Sequence, residues 1–280
     1  MPTLTWIARA PRIHLSSRPV SPAARGVTLS DYQLGSFTAL ASRTLQLSDL
    51  TSLLAAVPED GPPGVLQAAV VEDNLLLKPT AGSRVLAFKY LRQLYALDSR
   101  EPVFAALRVI WPLDAEGRPL LALLAASTRD VFLRAGLDVV REGLFGSPLS
   151  GADFSRCLVE TYGRPLGPKT LRSAGSNLAS SFVQSGHLKR GKVFTRARAQ
   201  ATPGSVALAM FIGHLLGERG VNLFVTPFAL ALDARPEDLD ALAYTASRRG
   251  WLEYRRLDQV AEFGFRTFEG LTAIPAAVGG

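Results

Sequence analysis

The sequence is poor in cysteine and histidine. Its 280 residues include one cysteine, Cys157, and three histidines. A single thiol excludes an internal disulfide framework and is typical of a reducing compartment, so we expect a cytoplasmic protein. His14, His187 and His214 are too widely spaced to form a zinc site with Cys157. We therefore expect no metal and no cofactor.

A long hydrophobic run is also missing. The two most apolar stretches, Leu120–Ala126 and Val206–Leu216, are far shorter than the roughly 20 residues that a membrane-spanning helix needs. Since 48% of the residues are hydrophobic and 20% are charged, the composition is typical of a folded, soluble protein. We expect both stretches to be core helices, and we expect no association with a membrane.

The sequence lacks the signatures of common enzyme classes. It has no phosphate-binding loop, no dinucleotide-binding glycine motif and no nucleophile elbow. We therefore expect a protein that is not an enzyme. A nuclease that holds its metal with carboxylates stays open at this point, because such ligands can lie far apart in sequence.

Acidic residues are missing from one long segment. The chain has 31 basic and 24 acidic side chains, and eight of the basic ones but none of the acidic ones lie between Thr161 and Gly217. The remainder therefore holds 23 against 24, so this basic segment supplies the whole net charge of +7. Such a concentration of charge is typical of a surface that binds a phosphate backbone, whereas a solvated face usually interleaves acids with bases. Its basic residues are Arg164, Lys169, Arg172, Lys189, Arg190, Lys192, Arg196 and Arg198.

Turn-forming residues predict how the chain is divided. The clearest linker is Pro58–Gly64, with three prolines and two glycines. Before it, residues 1–57 form an arm and a short helix near Thr38–Ala56. The arm contains four arginines, Arg9, Arg12, Arg18 and Arg25. After the linker we expect a helical bundle with a helix-turn-helix-like element over residues 65–145, a basic winged helix over 150–200, a second winged-helix-like unit over 203–268 and a tail over 269–280.

Apolar residues at helical spacing follow the linker. They predict helices over Val65–Asn74, Thr80–Leu97 and Val103–Trp111, and a further helical run over Leu120–Val140. In the second of these helices the residues expected to face the core are Val85, Phe88, Leu91, Leu94 and Tyr95.

The pattern then changes to that of a winged helix-turn-helix. A short helix over Ala152–Thr161, a turn over Gly163–Pro168 and a long helix over Lys169–Gln184 precede a hairpin over Gly186–Arg198. A weaker copy of this order follows. It comprises helices over Ser205–Leu216, Pro227–Leu232 and Pro236–Arg248 and strands over Trp251–Tyr254 and Val260–Phe265. The predicted fold class is therefore mainly α, with a helical N-terminal body and two winged helix-turn-helix-like units that carry short β-hairpins.

The long helix over Lys169–Gln184 has the composition of a DNA-reading helix. Leu171, Leu178 and Phe182 form an apolar stripe, and the remaining surface is polar, mostly small and free of acids. Short side chains permit close approach to a groove, while Arg, Asn and Gln can reach base edges. A serine-rich helix packed against another helix is the alternative. The polar residues are Lys169, Arg172, Ser173, Ser176, Asn177, Ser180, Ser181 and Gln184, of which Arg172, Asn177 and Gln184 are expected near the bases.

The predicted hairpin adds positive charge. Lys192, Phe194, Arg196 and Arg198 alternate onto one strand face, and Lys189 and Arg190 lie at the bend. We expect the charges to contact DNA phosphates and Phe194 to anchor the hairpin to its own helix. In the second unit, arginines and acids are mixed, which is typical of a protein-facing surface. A second contact with duplex DNA stays open there.

Several stretches resemble the BrxA family of the BREX phage-exclusion systems of bacteria. They are Glu72-Asp73-Asn74-Leu75-Leu76-Leu77-Lys78, Ser83-Arg84, Leu91-Arg92-Gln93-Leu94-Tyr95, and Ser173–Ser181 leading into Gln184-Ser185-Gly186-His187-Leu188. The resemblance covers Val65–Phe268. It implies an all-helical protein with helix-turn-helix units, an ability to bind DNA and a role in anti-phage defence. The sixty or so residues at the front are not explained by it.

These features predict a non-enzymatic protein that binds double-stranded DNA within a bacterial defence complex of the BREX type. Other components of that complex are then its protein partners. A winged-helix transcriptional regulator is one alternative, and a tight preference for one palindrome would favour it. An adaptor that docks an acidic protein through the basic segment is another, and binding to such a protein without binding to DNA would favour it.

Overall fold

The computed structural model describes residues 32–36, 38–59, 61–62, 64–162 and 166–270. The arginines of the N-terminal arm, Arg164 and most of the predicted tail lie outside these residues. The described chain is mainly helical with two small antiparallel sheets, which confirms the predicted mainly α class. The helices are α1 Leu47–Ala56, α2 Val65–Val71, α3 Ala81–Tyr95, α4 Pro102–Ile110, α5 Arg118–Ser127, α6 Val131–Glu142, α7 Gly151–Tyr162, α8 Pro168–Gln184, α9 Pro203–Leu215, α10 Pro227–Leu230, α11 Pro236–Arg248 and α12 Arg266–Glu269. The strands are β1 Pro148–Leu149, β2 Leu188–Lys189, β3 Phe194–Arg196, β4 Glu253–Leu257 and β5 Val260–Gly264.

Side-chain caps set where several of the N-terminal helices begin. The hydroxyl of Thr80 accepts a hydrogen bond from the N–H of Ser83 at the start of α3. At the start of α6, the carboxylate of Asp130 accepts from the N–H groups of Phe132 and Leu133. The prediction of one helical run over Leu120–Val140 was wrong, because this cap starts a new helix three residues after α5 ends. Val85 in α3 is 54% exposed, so its predicted place in the core was also wrong.

Leu120–Ala126 lies in the core, as predicted. Val206–Leu216 does so except at its end, since His214 is half-buried and Leu216, beyond α9, is 36% exposed. Leu120–Ala126 belongs to α5 and Val206–Ile212 to α9, and all of these residues are buried. They belong to one continuous hydrophobic cluster that also includes residues of α1, α3, α6, α8 and α11. Among the described residues, no helix combines the length and the apolar character needed to cross a bilayer.

Helices α7 and α8 are flanked by a three-stranded sheet. β1 precedes α7, whereas β2 and β3 follow α8. Both β1 and β2 pair antiparallel with β3, through Pro148 opposite Thr195 and Leu188 opposite Arg196, so the order in the sheet is β1-β3-β2. The sheet thus joins the chain that enters this helix pair to the chain that leaves it.

The C-terminal part is built on α9, α11 and the β4–β5 hairpin. Leu257 pairs with Val260, so the hairpin turns through two residues, and Asp258 there adopts a left-handed backbone with φ 49°. The ring of Phe211 in α9 packs against those of Phe265 and Phe268 at centroid distances of 5.5 and 5.0 Å. The second strand lies close to its predicted place, whereas the first strand is two to three residues later than predicted.

Glycine allows α7 and α8 to cross in close contact. A Cβ atom on Gly175 of α8 would lie 2.1 Å from the carbonyl oxygen of Gly151 and 2.2 Å from Oγ of Ser155, both in α7. No side chain fits at that distance, so only glycine permits this crossing. The crossing therefore fixes how α8 is turned toward solvent.

We expect Gly175→Ala to destabilise the protein by about 1–3 kcal/mol, because the added methyl group overpacks the crossing. The measurement is the free energy of unfolding from chemical denaturation. Gly82→Ala is the matched control, since a Cβ at this helical position meets nothing within 4 Å. Equal effects of the two substitutions would show that the α7–α8 crossing tolerates a side chain.

Candidate nucleic-acid interface

Helix α8 presents a narrow polar stripe to solvent. Lys169, Arg172, Ser173 and Ser176 are exposed and Ser180 is half-buried. Their spacings of three and four residues place them on one face of the helix. The opposite face, with Ala174, Leu178 and Phe182, is buried in the core. We call Lys169, Arg172, Ser173, Ser176 and Ser180 the α8 stripe.

The N-terminal segment covers one flank of α8. The side-chain amide of Asn177 donates to the carbonyl oxygen of Leu40 at 3.0 Å. The N–H of Leu45 donates to Oγ of Ser181 at 2.9 Å, and the N–H of Leu47 donates to Oε1 of Gln184 at 3.0 Å. We call residues 39–47 the shoulder. They are held along the helix by three of its polar side chains, those of Asn177, Ser181 and Gln184.

The shoulder changes the predicted role of Asn177 and Gln184. Both were expected to extend from the open surface of α8 toward the bases. This placement was wrong, because the two side chains hydrogen-bond the backbone of the shoulder about a quarter turn round the helix from the α8 stripe. Nothing in the sequence distinguishes the two flanks of α8, since Ser180 and Ser181 are the same residue type and only Ser181 is buried.

Three cations lie at the tip of the β2–β3 hairpin. Lys189, Arg190 and Lys192 are exposed, as predicted, and we call them the hairpin tip. The half-buried Phe194 packs against the core. The guanidinium of Arg190 lies over its ring, 5.6 Å from the ring centroid. Phe194 therefore anchors the hairpin from the inside, while the charges stay in solvent.

Arg196 points into the protein, so its predicted place on the hairpin surface was wrong. It is 3% exposed, and its Nη1 and Nη2 donate to the two carboxylate oxygens of Asp233 at 2.7 and 2.6 Å. Its Nε donates to the carbonyl oxygen of Val140 at 2.7 Å. β3 is the central strand of its sheet, and the face that carries Arg196 packs inward. The acidic partner lies 37 residues along the chain, beyond the acid-free segment.

Arg198 is exposed but lies away from the hairpin tip. It follows the C-terminal end of β3, whereas the tip precedes the N-terminal end. Its guanidinium lies 4.5 Å from the ring centroid of Phe145 and donates to the carbonyl oxygen of Asp233 at 3.3 Å. It therefore contacts the loop after α10 through a backbone oxygen, while the carboxylate of Asp233 is bonded to Arg196.

A buried histidine supports the base of the hairpin. Desolvation by burial lowers the pKa of His187 to about 4, so the ring is neutral near pH 7. Its Nε2 donates to the carbonyl oxygen of Ala231 at 2.8 Å, and Nδ1 accepts from the hydroxyl of Ser185 at 2.8 Å. Together with the Arg196–Asp233 pair, His187 joins the hairpin to the loop that follows α10.

The α8 stripe and the hairpin tip carry five cations on two elements that contain no acidic residue. Within the described part of the chain none of their five cations, Lys169, Arg172, Lys189, Arg190 and Lys192, forms an ion pair. The C-terminal part differs in that acids lie among its bases. Arg235, Arg256 and Arg266 pair there with Asp238, Asp240 and Glu253, whereas the exposed Arg248, Arg249 and Arg255 form no ion pair with a described acid. Among the described residues, no three His, Cys, Asp or Glu side chains are placed to hold a metal ion together.

Comparisons with known proteins do not assign this surface. No protein-family model matches the chain, and no curated protein matches it. The resemblance to the BrxA family therefore stays a prediction that rests on the sequence motifs.

The structure separates the buried Arg196 from the cations at the hairpin tip. Replacing Arg196 with Gln leaves Asp233 buried without its partner, so we expect a loss of about 3–5 kcal/mol in the free energy of unfolding. Lys192→Gln removes the same charge from the exposed tip and is expected to change stability by less than about 0.5 kcal/mol. Chemical denaturation of the two variants side by side checks this. A small effect for both would place Arg196 on the surface.

Proposed function

We propose that this protein binds double-stranded DNA, with the α8 stripe in the major groove and the hairpin tip along the phosphate backbone. The observation that carries this proposal is the cluster of five exposed, unpaired cations on two neighbouring elements that hold no acidic residue. Positive charge without interleaved acids favours a polyanion over an acidic protein surface.

The order of the elements supports a winged helix-turn-helix interpretation. α7 and α8 are two helices in close contact joined by a short connection, and the β2–β3 hairpin follows α8 directly. In helix-turn-helix proteins the first helix crosses the DNA backbone and the N-terminal residues of the second contact base edges. By this analogy α8 is the recognition helix, and the hairpin is the wing.

The shape of α8 fits this role at its N-terminal half. Lys169, Thr170, Arg172, Ser173 and Ser176 are among the residues exposed there. The major groove is about 12 Å wide and admits a helix, and short serine side chains allow a close approach to the base edges. Arg172 is then the residue with the reach to contact a guanine or a phosphate.

The C-terminal part is better suited to a protein partner. Three of its arginines are paired with acids. In the turn of the β4–β5 hairpin, Leu257 is 76% exposed and Val260 is 63% exposed. Exposed apolar side chains of this kind are typical of contacts between proteins. We propose that this part joins the protein to other components of a bacterial anti-phage complex of the BREX type, a role supported by the sequence resemblance.

The hairpin tip gives the first test. Five phosphate contacts predict a slope of about −4.5 when the logarithm of affinity for duplex DNA is plotted against that of salt concentration. Affinity then falls by roughly two and a half decades between about 50 and 200 mM salt. Replacing Lys189, Arg190 and Lys192 together with Gln should reduce the slope by about 2.5 to 3, and should do so equally on unrelated DNA sequences.

The matched control for the triple variant removes three arginines from the C-terminal part, as Arg235→Gln, Arg256→Gln and Arg266→Gln. Each of these is ion-paired with an acid, so we expect the slope to remain near that of the wild type. A triple hairpin variant that binds with the wild-type slope would mean that the hairpin faces something other than DNA.

The α8 stripe gives the second test. We expect Ser176→Leu to weaken DNA binding by at least about tenfold, because the bulky side chain holds the helix away from the bases. The salt slope should not change, since no charge is removed. Ala241→Leu, at an exposed position of α11, is the control and should bind like the wild type. Unchanged affinity for Ser176→Leu would show that α8 does not enter the major groove.

A further inference from the structure

The shoulder lies where one wall of a DNA groove would be. It is attached to Asn177, Ser181 and Gln184, on the flank of α8 next to the exposed stripe. An α-helix with its side chains is about 10–12 Å in diameter, which is close to the width of the major groove. The flanks of a helix that enters the groove therefore face the phosphates on either side. One flank of α8 meets α7, and the other meets the shoulder.

The shoulder bends outward between two of its anchors. Leu40 is bonded to Asn177 and Leu45 to Ser181, which are one helical turn apart on α8. The chain between them makes a turn in which the N–H of Arg43 donates to the carbonyl oxygen of Ala39 at 3.0 Å. Ser42 and Arg43 are exposed as a result. Arg43 thus lies between two residues that are bonded to α8, and it lines a surface groove together with Gln184 of that helix.

The guanidinium of Arg43 is held in place while it remains in solvent. It lies 4.9 Å from the ring centroid of Tyr90 in α3, and its Nη1 donates to the carbonyl oxygen of Ser42 at 3.2 Å. Stacking on an aromatic ring leaves the edge of a guanidinium free for a further partner. Arg43 forms no ion pair with any described acidic residue. The other cation that lines the same surface groove, Lys78, is bonded to Asp49 at 2.9 Å.

We propose that Arg43 binds one DNA phosphate at the wall of the groove opposite to α7. This inference rests on the proposed function, and it adds a contact from the N-terminal part to those of the α8 stripe and the hairpin tip. The chemistry is a charge-assisted hydrogen bond between a guanidinium and a phosphate oxygen. Since Lys78 in the same groove is already paired with Asp49, we expect one phosphate contact at this wall and not two.

The test is the salt dependence of duplex binding by the full chain with Arg43→Gln. Loss of one phosphate contact should reduce the slope by about 0.9 and the affinity at about 100 mM salt by roughly eightfold. The matched control is Arg118→Gln, because Arg118 also stacks on an aromatic ring, that of Trp111 at 5.6 Å, but far along the chain from the shoulder. It should bind like the wild type.

A second pair of variants tests the position of the guanidinium. Tyr90→Phe keeps the aromatic ring and should bind like the wild type. Tyr90→Leu removes the stacking and should show part of the loss in affinity that is expected for Arg43→Gln. If the hairpin triple variant lowers the slope and Arg43→Gln does not, the inference about the shoulder is wrong and the proposed function stands. If the wild type binds no duplex at all, both are wrong.

Discussion

A buried guanidinium holds together the parts of the molecule that surround the proposed interface. Arg196 bonds Asp233 through both carboxylate oxygens and bonds the carbonyl oxygen of Val140 at the end of α6. Burying two charges costs several kcal/mol for each ion, and the cost is offset only where geometry and hydrogen bonding are good. Here Nε, Nη1 and Nη2 of Arg196 each donate to an oxygen of the protein. The hairpin that carries the exposed cations is therefore fixed at its base to α6 and to the loop after α10.

This arrangement divides the positive charge of the basic segment into two kinds. Arg196 stabilises the fold through its buried pair with Asp233. Arg198, at the far end of β3, donates to the backbone carbonyl oxygen of the same residue. The cations on the α8 stripe and at the hairpin tip remain without acidic partners among the described residues. Sequence charge alone overstated the size of the surface, because an acid from a later part of the chain neutralises one of its members. The cations that remain exposed lie on two adjacent elements, α8 and the β2–β3 hairpin.

The features that could be predicted from the sequence are those set by nearby residues. Helix α11 has the predicted bounds, α8 begins one residue before its predicted start, and the β2–β3 hairpin lies within its predicted range, since apolar spacing, proline and turn residues act locally. The places of Asn177, Gln184 and Arg196 could not be predicted. Their partners are Leu40, Leu47 and Asp233, which lie 137, 137 and 37 residues away. A polar side chain looks the same in sequence whether it meets DNA, solvent or another part of its own chain.

Lysine acetylation provides the most direct measurement of the central claim, that duplex DNA lies on the α8 stripe and the hairpin tip. The chain has five lysines, of which Lys169, Lys189 and Lys192 belong to this surface, while Lys89 is exposed on α3 and Lys78 is paired with Asp49. Acetylation followed by mass spectrometry, with and without duplex DNA at low salt, reports the accessibility of each lysine. The proposed interface predicts that DNA protects Lys169, Lys189 and Lys192 and leaves Lys89 reactive. Bound DNA that leaves Lys189 and Lys192 as reactive as in the free protein would contradict it.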